Sequence, residues 1–178
     1  DKQLQYIMQG SQEEDTPVRW LNHFYDPIYN IGFSDFIVTD KIQPYKMAQD
    51  WLVSPYKQAT FADGDRSWQR GLDDYARGDE KNAFIELGHA IHLISDMSVP
   101  GHTRNSLHVG DSFESFVKNN WSSIKPKLVY DFTEVNNLEQ AFNELAIYSN
   151  NNFYSDRTIE SEKYNIINID EIKKISND

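Results

Sequence analysis

The sequence predicts an all-α fold, a multi-helix bundle, and three observations predict it. Apolar residues recur at three- and four-residue steps along most of the chain, capping and breaking residues punctuate those stretches, and alternating strand-like patterns are minor. A chain of 178 residues, 39% hydrophobic and without cysteine, can bury one ordinary core with no disulfide. One domain over residues 1–178 is therefore expected.

The first helical stretch is KIQPYKMAQDWLV, which places Ile42, Tyr45, Met47, Trp51 and Leu52 near one face and is stopped by Pro55. A second helix is expected over Asp65 to Ala76, with Trp68, Leu72, Tyr75 and Ala76 in phase and Gly78 ending it. Asp79 can then cap EKNAFIELGHAIHLISDM, where Ala83, Phe84, Leu87, Ala90, Ile91 and Ile94 form an apolar stripe and Leu93 adds surface on another side. This should be the central buried helix. Pro100 and Gly101 break the pattern. A short helix restarts near Asp111 through SFESFVKNNW, the KPK linker follows, and a last helix covers about Asn137 to Tyr148. Residues 16–40 mix aromatic and turn residues, with a short helical start and a loop after Asp26-Pro27. The tail from about Ser155 has weak periodicity, and no state is assigned to it.

No apolar run approaches the roughly 20 residues needed to span a bilayer, so no transmembrane segment is expected. Seventeen basic against 28 acidic side chains give a formal charge of −11, which argues against a long footprint on nucleic acid. The lack of cysteine removes thiolate zinc sites and cysteine nucleophiles.

Four of the five histidines, His89, His92, His102 and His108, fall within one twenty-residue window. On a helix His92 and Asp96 are i,i+4 neighbours and His89 lies on the same arc, so imidazole and carboxylate groups share a partly desolvated face that demands a compensating partner. A divalent metal is one such partner, because an i,i+4 pair on a rigid helix supplies two ligands at little entropic cost. A buried His-Asp hydrogen bond that satisfies a core helix is the other. The continuation SVPGHTRNSLHVGDSFE adds His102, His108 and Glu114, which favours the metal.

The stretch LGHAIHLISDMSVPGHTRN, with His92, Asp96 and His102 in a His-x3-Asp-x5-His pattern, resembles the signature of the bacterial zinc-dependent phospholipase C family. WLNHFYDP is similar to that family's His-aromatic-aromatic-Asp-Pro segment and puts His23 in the ligand position. The likeness runs from about Gly10 to Trp121. It implies a helical bundle enclosing a zinc cluster that hydrolyses phosphodiester bonds in phospholipid head groups. It further implies that His23, His92 and Asp96 hold one zinc, and His102, His108 and Glu114 a second. Asp15 would belong to a third zinc and serve as the general base, with Glu14 the alternative acid. Two zinc ions are expected, or three if an N-terminal segment precedes Asp1, since the family has a chelating tryptophan where this chain has none. An occupied three-zinc site would move the formal charge toward about −5. His108 and Glu114 are six residues apart, wider than the family's spacing, which makes Asp111 a substitute ligand.

The resemblance also implies secretion or an extracytoplasmic location, a phospholipid or other phosphodiester substrate, and peripheral contact with membranes. Two other readings stand beside it. One is a single-strand-specific zinc nuclease, although HTRNSLHVGDSFE lacks the Gly-Gly-Asn segment those enzymes share; the other is a zinc-bound helical module without turnover.

For the remaining residues the expectations are plainer. His89 is expected to support the ligands or the core, and Asp26 to start a turn rather than orient a ligand histidine. Arg104 is expected at the surface, with contact to a substrate phosphate as the alternative. Trp20, Phe24, Tyr25 and Phe33 are expected to pack, with a cage for a quaternary ammonium group as the alternative. The acidic runs GSQEED and ESEK are expected to be solvated, except for Glu14 and Asp15.

Overall fold

The computed structural model describes residues 1–16, 19–32, 47–58, 64–106, 110–127, 134–155 and 158. They form an all-α, multi-helix bundle. In chain order the α-helices are α1 (Lys2–Glu14), α2 (Ala48–Val53), α3 (Pro55–Gln58), α4 (Trp68–Ala76), α5 (Glu80–Asp96), α6 (Pro100–Thr103), α7 (Ser112–Ile124) and α8 (Leu138–Asn152), with 3₁₀ turns at Arg19–Asn22 and Lys125–Lys127. No helix among the described residues is long and apolar enough to cross a membrane.

Helix α5 is the centre of the bundle, with α1 along one side and α4 along another. Its N-terminus is fixed as its sequence suggests: Asp79 accepts from the Asn82 N–H at 3.2 Å, after Gly78 has turned the chain with a φ of +83°. The buried face differs from the expected stripe. Ile91 is exposed and Phe84 and Leu87 are half-buried, while Ala83, Ile85, Glu86, His89, Ala90 and Leu93 face inward. The burial follows neighbours rather than hydropathy, because α1 and α4 flank α5 and cover polar as well as apolar positions. Ala90, Leu93 and Met97 join Tyr25, Trp51, Leu52 and Phe142 in the apolar core.

Helix α1 was not legible as a helix. Its only buried residues are Gly10 and Glu14, so it has no apolar stripe to reveal it. It lies backbone to backbone on α5. A Cβ at Gly10 would stand 1.9 Å from the Ile85 carbonyl oxygen, and one at Gly88 would stand 2.2 Å from that of Ile7. Two glycines 78 positions apart in the sequence therefore allow the approach that carries Glu14 into the interior.

Other boundaries shift in small ways. The second expected helix begins at Trp68 rather than Asp65, because Ser67 is its N-cap and the Asp65 carboxylate turns back to the Ser67 N–H at 3.0 Å. Helix α5 ends at Asp96 and Pro100 opens α6 at its first turn, so the expected break contains a helical turn. Helices α7 and α8 run on to Ile124 and Asn152. The first half of KIQPYKMAQDWLV, Phe33, His108, ESEK and the tail beyond Thr158 lie outside the described residues.

Candidate metal centre

Three segments bring the chemistry together. The 3₁₀ turn Arg19–Asn22 delivers the chain into a run without regular secondary structure at His23, Phe24 and Tyr25. That run is locked to α6: the Tyr25 N–H donates to the His102 carbonyl at 3.0 Å, and His102 Nδ1 lies 3.0 Å from the His23 carbonyl oxygen. A carbonyl can only accept, so the Nδ1 atom of His102 carries a proton, and its Nε2 atom is turned toward Asp96. The C-terminal turns of α5 supply His92 and Asp96.

Asp96 is the meeting point. Its Oδ2 atom lies 2.9 Å from His23 Nδ1 and 3.4 Å from His92 Nε2, and its Oδ1 atom lies 3.6 Å from His102 Nε2. Oδ2 is buried and yet makes no hydrogen bond, so these close approaches are not aligned as donor and acceptor. The rings of His23 and His92 are 4.8 Å apart at their centroids. Asp15 stands at the exposed edge, where one ligand atom from each of Asp15, His23 and His92 lies within 4.8 Å of the others.

Behind His23 is a second carboxylate. Glu14 is fully buried, and its oxygens receive Arg19 Nη2 at 2.6 Å, Trp51 Nε1 at 2.7 Å and His89 Nδ1 at 2.5 Å, with His23 Nε2 at 3.3 Å. Burial alone would raise the Glu14 pKa, but hydrogen bonds from His23 and His89 and the Arg19 charge hold it well below the usual carboxylate range. Burial likewise opposes ionisation of Asp96 and is overcome by His102, His23 and His92, which lower its pKa. His23 sits between the two carboxylates. Burial pushes its pKa down, but Asp96 and Glu14 outweigh that and raise it to about 9. His89 is shifted the other way, since burial dominates and favours the neutral ring despite Glu14.

These shifts fix the pH response of the metal-free protein. A histidine with a raised folded pKa contributes stability that is complete below its unfolded value near 6.5 and is lost as pH rises through about 9. The depressed carboxylates contribute stability above their ordinary values and lose it as pH falls. With chelator present, the unfolding free energy from urea titration is expected to fall between pH 6.5 and 9, at a slope on the order of 1 kcal/mol per pH unit. A flat profile over that window would contradict this pairing.

Measured against models of known families, the sequence matches none, and no curated protein matches it. The geometry therefore stands as its own evidence.

The structure brings Asp15, His23, His92, Asp96 and His102 into one neighbourhood. The resemblance divides them among three ions, whereas here Asp15 stands with His23 and His92, and His102 lies against Asp96. Glu114 is exposed on the first turn of α7, and His108 lies outside the described residues. Asp111 is the N-cap of α7, accepting from the Phe113 N–H at 2.7 Å. Asp26 accepts from the Ile28 and Tyr29 N–H groups and so shapes a turn, as expected. His89 supports Glu14 from α5.

Two expectations need correction. Arg104 is buried, not at the surface, donating to the Asn150 carbonyl and lying 4.1 Å over the Tyr154 ring, so it ties α6 to α8. Glu14, read as an alternative metal ligand, has both oxygens occupied by protein side chains. Phe24 and Tyr25 are buried, as core packing requires. Arg19 and Trp51 also belong to the site, although nothing local in RWLN or QDWL reveals that both reach Glu14.

Proposed function

We propose that Asp15, His23, His92 and Asp96, with His102 beside them, hold a divalent metal, zinc by donor chemistry, and that the chain hydrolyses phosphodiesters in the manner of a phospholipase C. The observation that carries the metal reading is the convergence on Asp96. Ligand atoms about 2.0–2.1 Å from a tetrahedral zinc lie about 3.3 Å from one another. The separations of 2.9 and 3.4 Å about Asp96 Oδ2 bracket that edge, in a buried place where the oxygen has no hydrogen bond. The donor set of imidazole and carboxylate suits zinc and needs no thiolate.

The substrate class is supported by the motifs around His23 and from Leu87 to Asn105. When bound, zinc supplies a Lewis acid for phosphoryl oxygens and lowers the pKa of an attached water. The residues of the chain do the rest. Asp15, the exposed member, stands where a substrate arrives and takes the proton from the attacking water. His102 is held by its bond to the His23 carbonyl, so its Nε2 atom faces Asp96 and the cluster without rotating.

The zinc-loaded chain is expected to release diacylglycerol from phosphatidylcholine vesicles and to cleave a soluble phosphodiester such as bis(4-nitrophenyl) phosphate. Zinc binding without hydrolysis of either would reject the catalytic reading. Cleavage of single-stranded DNA with no action on lipid would move the substrate to nucleic acid.

A further inference from the structure

Resting on the metal reading above, we infer that Glu14 is the positioning residue that decides which nitrogen of His23 faces the metal. The imidazole of His23 has a carboxylate at each end, and the two carboxylates are not equivalent. Asp96 shares its neighbourhood with His92 and His102 and leaves Oδ2 without a hydrogen bond. Glu14 is held from three other directions by Arg19, Trp51 and His89, each from a different element. Arg19 is itself pinned, donating to the Gln58 side chain at 3.0 Å and lying over the Trp51 ring at 5.0 Å.

A carboxylate fixed in this way cannot follow a turning ring, so the ring aligns to it. The Nε2 atom of His23 donates to Glu14 Oε1, and Nδ1 is directed at Asp96 and His92. Partners behind a metal-bound histidine fix its tautomer and raise its basicity, and their loss commonly lowers metal affinity 10- to 100-fold. His89, the second imidazole on Glu14, has its Nε2 atom buried without a hydrogen bond and 3.7 Å from Glu13, so it backs the carboxylate without competing for the centre. This gives α1, a helix whose own sequence carries no metal motif before its last turn, a part in the centre that α5 and α6 build.

The test is made on the full chain, ¹⁵N-labelled at histidine and titrated with zinc, using long-range ¹H–¹⁵N spectra of the imidazoles. The expected result is zinc on Nδ1 of His23 with the proton retained on Nε2. Zinc on Nε2 with the proton on Nδ1 overturns the role of Glu14 while leaving the metal reading intact; no zinc-dependent change at His23 overturns both. Glu14→Gln, compared by chelator competition and by the visible spectrum of the cobalt form, is expected to bind 10- to 100-fold more weakly with an altered spectrum. Unchanged affinity and spectrum overturn the inference. Should that variant fail to fold, the nitrogen assignment in the wild-type protein still decides.

Discussion

Asp96→Asn is expected to lower zinc affinity by on the order of 100-fold or more while the helices remain formed. Asp96 is the side chain that His23, His92 and His102 share, with nitrogens 2.9 to 3.6 Å from its oxygens. An amide keeps the shape but removes the negative charge and one of the two acceptor oxygens, leaving three imidazoles around a neutral group. Loss of a direct ligand should exceed the 10- to 100-fold typical of a supporting partner. In the metal-free state the substitution also removes a carboxylate that raises the His23 pKa, so the fall of stability toward pH 9 should shallow. Isothermal titration or chelator competition with zinc measures the first effect. Wild-type affinity in Asp96→Asn would mean that the three histidines gather around Asp96 only as a packed hydrogen-bonding cluster.

The largest effect on stability is expected from the glycines between α1 and α5. Gly10→Ala would put a Cβ 1.9 Å from the Ile85 carbonyl oxygen, and Gly88→Ala would put one 2.2 Å from that of Ile7. Contacts below 3.0 Å with backbone cannot be relieved by rotating a side chain, so the helices must separate. Overpacking typically costs 1–3 kcal/mol, and a backbone clash belongs at or above the top of that range, so about 3 kcal/mol is expected for each substitution. In an exposed helix the same change would stabilise, since alanine favours helix more than glycine by roughly 1 kcal/mol. The sign of the effect in urea unfolding therefore separates the two situations. Because Glu14 lies on α1, both variants should also bind zinc more weakly. A neutral or stabilising result would show that α1 does not pack on α5 this closely.

How much of this could be seen in the sequence varies by element. Helix α5 was plain from its period, its Asp79 cap and the His92–Asp96 spacing, because helical geometry places those groups together whatever surrounds them. His23 and His102 were reached through the aromatic-Asp-Pro and Pro-Gly-His segments, and the structure places both beside Asp96. Helix α1 was not visible, because its inward face consists of Gly10 and Glu14 and makes sense only against Gly88, 78 positions later. The burial of Glu14 was hidden for the same reason. The motif singles out Glu14 only as an alternative metal acid, and nothing in GSQEED shows that Arg19, Trp51 and His89 arrive from three other segments to satisfy it. Arg104 misled in the opposite sense, since its position in GHTRN suggested a surface arginine or a phosphate contact, while Tyr154 and Asn150 cover it.

Anomalous scattering decides whether Asp15, His23, His92 and Asp96 surround a metal. Crystals of the full chain grown with zinc, measured on both sides of the zinc absorption edge, are expected to show a peak within bonding distance of His23 Nδ1, His92 Nε2 and an oxygen of Asp96. A map with no peak there, at zinc concentrations that saturate ordinary imidazole and carboxylate sites, would contradict the metal reading.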